Sequence, residues 1–485
     1  MSNESTASIG DRLTLVGDLF KALDRARIPY VHWKSNEHLD AALRGETDLD
    51  LLVSRDHRGD FETMVADAGF VAVDAPRLRR VPGMQAYLGF DSESGRLVHL
   101  DVHYDLVMGE RLIKNHHLPI EGWLFEDPGS LLGVPVPTPE KEFILLYVRS
   151  VLKTGPKQFL RSAMRGGSPF PERIQKEMAW LARRVTDDAL ERELAGAAVP
   201  VQPGAVVEFK RRVESGGLDW RWVLRQRVAV WRALRHNRRH RGLQALLRRA
   251  VINFRSSRLG RRLGFGLKRR TLQSRGLVVA LVGADGAGKS RIASDVGRWL
   301  GAKLEVEHVY FGQPKSGLLY LLLAKPGSLV RNRGIGVLKP VAEITDALRW
   351  VAIAARRRRL AERARRKASE GGVVIAERYP LREFFSMETP MDGPRLHRQR
   401  GLLGLPRMEV RLYERIPRPD FTIVLRTDID TLRARKLDLA LDEHLPKVEA
   451  IASLEPGDDL EVVDAGRPYE EVLQMVKSLI WSRLA

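Results

Sequence analysis

The segment Gly283-Ala284-Asp285-Gly286-Ala287-Gly288-Lys289-Ser290 decides how this chain reads. It fits G-x-x-x-x-G-K-[ST], a pattern whose glycines let the backbone curl into a nest of N–H groups around phosphate oxygens. The apolar run Val278 to Val282 precedes it and the helical pattern RIASDVGRWL follows. A phosphate loop needs that strand–turn–helix setting, because the helix N-terminus adds its positive dipole end to the nest. Gly283, Gly286 and Gly288 then shape the loop, Lys289 reaches the β- and γ-phosphates, and Ser290 Oγ ligates Mg²⁺. ATP and Mg²⁺ are the expected cofactors.

Outward from the loop, short apolar runs alternate with long helical patterns: LVVALVG, VEHVYFG, GGVVIAERY, DFTIVLRTD and LEVVDAG. Five such runs separated by helices predict a parallel sheet with right-handed crossovers. Residues 276–485 are therefore expected to form one α/β domain with a doubly wound parallel sheet.

The motif order in 276–485 resembles the thymidylate kinase family of P-loop nucleoside monophosphate kinases. The loop carries that family's Asp-Gly, as Asp285-Gly286. Glu377-Arg378-Tyr379 closes a strand where the family has Asp-Arg-Tyr or Asp-Arg-His. The resemblance implies that Asp285 touches the acceptor's sugar hydroxyl, that Arg378 and Tyr379 meet the acceptor, and that Glu377 acts near the metal. It also places an acceptor arginine at Arg356, a lid beginning at Arg433-Ala434-Arg435-Lys436, and an adenine-side loop at Val463 to Pro468 with Arg467. Positioning and charge neutralisation drive phosphoryl transfer, so Lys289, Arg378, Arg356 and lid cations such as Arg435 form a sufficient set. Departures stand beside these matches. Tyr310-Phe311-Gly312-Gln313-Pro314 replaces the family's Arg-Glu-Pro stretch, Ala352 stands where an aromatic stacks on thymine, and the motif aspartate is Glu377. The implied function is phosphorylation of a nucleoside monophosphate, dTMP first, or of a similar phosphorylated acceptor.

The N-terminal part carries a second constellation. Thr47 to Val53 reads as a strand with Asp48 and Asp50 on one face and Leu49, Leu51 and Val53 on the other. A second strand, Leu97 to His103, puts His99, Asp101 and His103 on one face. Asp48, Asp50 and Asp101 on adjacent strands predict a hard-cation site suited to two-Mg²⁺ chemistry. With Ser35 ahead of Asp-x-Asp, residues 10–135 resemble the nucleotidyltransferase superfamily that includes polymerase β, as an α+β domain. The family's glycine before that serine is Lys34 here. Nucleotidyl transfer through these aspartates is the alternative activity, and a non-catalytic nucleotide-binding adaptor is the reading without catalysis.

Length and charge bound the rest. At 485 residues the chain is long enough for two or three domains. It has no cysteine, which excludes disulfides, thiolate zinc sites and a cysteine nucleophile. Of its net charge of +20, the segment Arg221 to Arg275 holds 18 Lys/Arg and no acid, leaving +2 for the other 430 residues. Residues 136–275 read as a helical region ending in this basic connector, where Trp222, Val223, Val230, Trp231, Leu234, Leu246 and Leu247 recur at helical spacing. The strip is either a wet amphipathic face or a peripheral contact with an anionic membrane or nucleic acid. No signal-like leader opens the sequence, and its most apolar stretch, 317–324, is too short to span a bilayer. A cytoplasmic protein, in part membrane-peripheral, is expected.

Overall fold

The computed structural model describes all residues except 1–11, 111–112, 198, 241, 268, 314–338, 386–391, 397–403 and 436–440. The apolar stretch 317–324, Pro314 and Lys436, expected in a lid, lie outside the described residues. The chain divides after residue 268 into two compact units.

The first unit is built on strands β1 (Tyr30–His32), β2 (Leu49–Val53), β3 (Val71–Asp74), β4 (Met84–Asp91) and β5 (Arg96–His103). They run in the order β1-β2-β5-β4-β3, with only β2 and β5 parallel among these neighbours. Strand periodicity splits β2 between two cores. Leu49, Leu51 and Val53 pack with Leu19, Phe20, Phe61 and Val65 of the helices Thr14–Arg25 and Arg58–Asp67. Leu52 turns the other way, toward Trp33, Phe143, Tyr147 and the helices that follow. Two hairpins, β6 (Val107–Glu110) with β7 (Ile113–His117) and β8 (Gly129–Leu131) with β9 (Val134–Val136), complete the β structure.

Among the described residues of 139–262 every regular element is a helix. The helix Pro139–Lys153 begins with Pro at its first position and Thr138 capping the Lys141 amide, and it buries an apolar face that gathers later helices. Within the basic strip, Trp222, Val223, Val230 and Leu234 are buried in this core, Trp222 stacking on Phe209. Leu246 and Leu247, expected on the same face, are exposed. No helix among the described residues is long and apolar enough to cross a membrane.

The second unit is a P-loop α/β fold. After a two-residue strand β10 (Thr271–Leu272), strands β11 (Val278–Gly283), β12 (Val306–Tyr310), β13 (Val373–Glu377), β14 (Phe421–Arg426) and β15 (Leu460–Asp464) form a five-stranded sheet. Its order is β12-β13-β11-β14-β15, and every pairing is parallel. Every residue of β11 and β13 is buried, as expected of strands covered on both faces. The connection from β11 passes beyond β13 to reach β12, while that from β13 passes over β11 to β14. The carboxyl ends of β11 and β13 therefore flank the crevice where such sheets bind ligands.

One long helix, Lys339–Ser369, lies across the sheet. Ala347, Ala354, Ala361, Ala364 and Ala368 are buried at spacings of seven, three and four, a stripe of small side chains that lets the helix approach closely. Arg357 falls on that stripe, three residues after Ala354 and four before Ala361, and is 2% exposed.

Candidate functional site

The phosphate loop leaves β11 at Gly283 and enters the helix Lys289–Gly301. Gly286 and Gly288 have φ of 102° and 87°, backbone that a side chain would strain, and Gly288 caps the helix in that left-handed conformation. Lys289 is buried. Its Nζ donates to the carbonyls of Gly283 (2.8 Å) and Ala284 (2.7 Å) and lies 3.8 Å from Asp285. Burial pushes its pKa down to about 8, with Asp285 pulling up and Arg378 pushing down by smaller amounts. It remains a cation at neutral pH, held by the loop it serves.

Ser290 Oγ donates to Glu377 Oε2 at 2.6 Å, and His308 Nε2 lies 2.6 Å from the other carboxylate oxygen. Burial pushes the Glu377 carboxyl up, but the hydrogen bonds from His308 and Ser290 and the charges of His308 and Lys289 outweigh it, so its pKa lies below the ordinary value. A hydroxyl and a carboxylate in contact at the head of a phosphate loop are an oxygen donor pair of the kind Mg²⁺ takes. A lowered carboxyl pKa stabilises the fold above the unfolded value of about 4.3, and that contribution is lost as pH falls through the folded one. Thermal melts of Glu377→Gln are accordingly expected to lose part of the wild-type decline in midpoint below pH 4.5. Parallel declines in the two proteins contradict this.

Arg378 follows Glu377 with φ of 54°, an uncommon conformation for a non-glycine residue that turns its side chain out of the sheet end. Its guanidinium pairs with Asp285 and lies 4.0 Å from Asp392. Burial works against its charge, but Asp285 and Asp392 outweigh that and raise its pKa. Asp285, Lys289, Arg378 and Tyr379 line one cleft with Asp392, Arg395 and Lys447. Tyr379 contributes its ring, since its hydroxyl is bonded to the Pro417 carbonyl.

The other expected positions fall as follows. Arg356 donates to the carbonyls of Gly312 (3.2 Å) and Tyr310 (3.5 Å), bracing the Tyr310–Gln313 stretch. Its neighbour Arg357 is the deeply buried arginine, donating to Phe311 O (2.8 Å), Tyr413 Oη (2.6 Å) and both the carbonyl and carboxylate of Asp392. Arg435 donates to the Ala465 carbonyl at 2.8 Å, tying its helix to the loop after β15, while Arg433 pairs with Asp430 at the surface. Arg467 is exposed, 3.7 Å from Asp464. Reading the sequence missed Arg357, Asp392, His308, Arg395 and Lys447. Only Arg357 carried a usable signal, its phase with the alanines.

In the first unit, register sets Asp50 beside Asp101 on the parallel pair β2–β5. Lys34 Nζ takes Asp50 at 2.6 Å. Asp48 and Asp101 converge on His99 instead, whose Nδ1 and Nε2 lie 2.8 and 3.4 Å from their oxygens. The lysine at the expected glycine position thus supplies the positive charge that Asp50 was expected to find in a cation.

No protein-family model matches the chain. It is 26% identical over 225 residues to the uncharacterized ATP-binding protein YghR of Escherichia coli K12, covering 42% of this chain and 86% of that protein. It is 29% identical over 217 residues to the uncharacterized ATP-binding protein YghS of the same strain, covering 41% and 89% respectively. A solved structure of thymidylate kinase from Candida albicans matches 43% of this chain and 92% of its own at 18% identity, with a TM-score of 0.29.

Proposed function

We propose that the chain is an ATP- and Mg²⁺-dependent phosphotransferase whose acceptor already carries a phosphate, a nucleoside monophosphate being the substrate class and dTMP the first candidate. The observation that carries this reading is the convergence of Lys289, Arg378, Arg395 and Lys447 on one cleft at the phosphate loop. Two anionic phosphates brought together need such a set of fixed cations, and little else, for transfer. The two ATP-binding relatives in Escherichia coli support the nucleotide side.

In this reading Lys289 and the amides of 286–290 bind the β- and γ-phosphates, and Ser290 and Glu377 would hold Mg²⁺, which would supply further positive charge for the transfer. Arg378, oriented by Asp285, binds the acceptor phosphate in line with the γ-phosphorus. An acceptor phosphate oxygen bonds to that phosphorus as its bond to the ADP oxygen breaks. Mixing the full chain with ATP, Mg²⁺ and a panel of nucleoside and sugar monophosphates should release ADP with one acceptor and yield its diphosphate. A panel without turnover contradicts the proposal.

Affinity for ATP should also fall as pH rises through about 8, because Lys289 then loses the charge that phosphate requires. Calorimetric titrations at pH 7 and pH 9 check this, and Lys289→Arg, charged at both, should abolish the difference. Nucleotidyl transfer by the first unit is the weaker reading, since Lys34 already neutralises Asp50. It requires pyrophosphate release that survives loss of Lys289 and stops in Asp48→Ala.

A further inference from the structure

The first unit contains a cavity of about 850 Å³ that phosphoryl transfer does not use. The helices Pro156–Arg165, Trp220–Ala233 and Gly242–Ser256 wall it, and β6 and β7 form the remaining side. Its size lies within the roughly 300–1,000 Å³ typical of small-molecule sites. The wall is mainly apolar and poorly covered. Leu160 and Leu246 are each 62% exposed and Trp231 is 44% exposed, on different helices facing one space. Contiguous large apolar side chains left in water mark a surface that something covers.

Two further features say what kind of molecule does so. His116 lines the cavity, is 5% exposed, and has no hydrogen-bond partner at either ring nitrogen. Burial first, then Arg238 and Arg227, push its pKa down to about 4, so the ring is neutral, and because both nitrogens lie just beneath the cavity surface a turn of the imidazole is what presents its one donor and one acceptor. A buried polar group left so is normally answered by water or ligand. Charge is the second feature. Arg227, Arg238 and Arg249 line the space against one carboxylate, Glu110, which Arg227 and Arg249 both hold, at 2.6 and 2.8 Å.

We infer that this cavity binds a single-chain anionic amphiphile, its hydrocarbon tail against Leu160, Leu224, Trp231 and Leu246 and its head among the three guanidiniums with His116. The inference concerns the first unit alone and stands whether or not the second unit is a kinase.

Isothermal titration of the full chain with dodecyl phosphate, below its micelle concentration, tests it against dodecyltrimethylammonium and dodecyl maltoside. Saturable one-to-one binding of dodecyl phosphate is expected, at least tenfold tighter than either comparator. Leu246→Glu, at an exposed position that folding tolerates, should abolish it. His116→Phe should weaken it by about tenfold, the worth of a hydrogen bond to a charged head, without lowering the thermal midpoint. Equal binding of all three amphiphiles overturns the inference, as does unchanged binding in Leu246→Glu or in His116→Phe. Association with phosphatidylglycerol vesicles but not with monomeric dodecyl phosphate overturns it too, and identifies the patch as a membrane contact.

Discussion

Replacing Lys289 with Met should lower kcat for ATP-dependent transfer by about a hundred- to a thousandfold, the range for losing one preorganised charged donor. The side chain lies under the loop with its ammonium between two backbone carbonyls, so its position does not depend on a flexible stem finding the phosphate. Methionine keeps most of the buried volume but leaves the Gly283 and Ala284 carbonyls short of a donor, a cost of about 1–3 kcal/mol. The midpoint of unfolding should therefore move by a few degrees while activity nearly vanishes, and circular dichroism should show the fold retained. Lys289→Arg separates charge from geometry. Its planar fork cannot sit between the two carbonyls as an ammonium does, so it should recover little of the rate. Near-wild-type turnover in Lys289→Met, from protein free of the parent enzyme, contradicts phosphoryl transfer at this loop.

The largest stability effect is expected at Arg357. Its guanidinium is buried and satisfies Phe311 O, Tyr413 Oη and Asp392 at once, joining the long helix, the end of β12 and the cleft wall. Arg357→Met removes the charge and leaves the Asp392 carboxylate with only its longer contact to Arg378, a loss of about 3 kcal/mol. For a unit of this size that corresponds to about 10 °C in the unfolding midpoint. The neighbouring Arg356→Met should cost well under half as much, because Arg356 makes two long contacts to carbonyls at a partly exposed position. Urea unfolding of both variants decides. Because Asp392 also faces Arg378, the Arg357→Met, Asp392→Asn double variant should lose less than the sum of the single changes. Equal losses at 356 and 357 would mean that the helix does not bury the face described.

The contrast between these adjacent arginines shows what could be read in advance. The strand, glycine loop and helix at 278–301 were legible because each follows from local chemistry: β-branched residues, positive φ, and a helix N-terminus. Parallel pairing of the five apolar runs was legible for a similar reason, since strands buried on both faces lose polar alternation. The family resemblance points to Arg356, but helical phase with Ala354 and Ala361 selects Arg357 for burial. Asp392 and Arg395 reach the cleft from irregular backbone, where no period relates sequence to direction. The pairing of Lys34 with Asp50 depends on tertiary contact between a turn residue and a strand, which spacing does not encode. In the basic strip the apolar spacing was visible, yet of the seven residues that carry it Trp222, Val223, Val230 and Leu234 found a core while Trp231, Leu246 and Leu247 are exposed. Periodicity marks a face and does not say whether anything packs on it.

Hydrogen–deuterium exchange of the full chain with and without Mg²⁺ and the non-hydrolysable analogue AMP-PNP addresses the phosphate loop itself. If the backbone of 283–290 closes around a triphosphate, peptides spanning Gly286 to Ser290 should gain protection on adding the analogue, and that gain should be lost in Lys289→Met. Unchanged exchange across that segment at saturating analogue, with the protein folded, would remove the basis for nucleotide binding and for the transfer chemistry built on it.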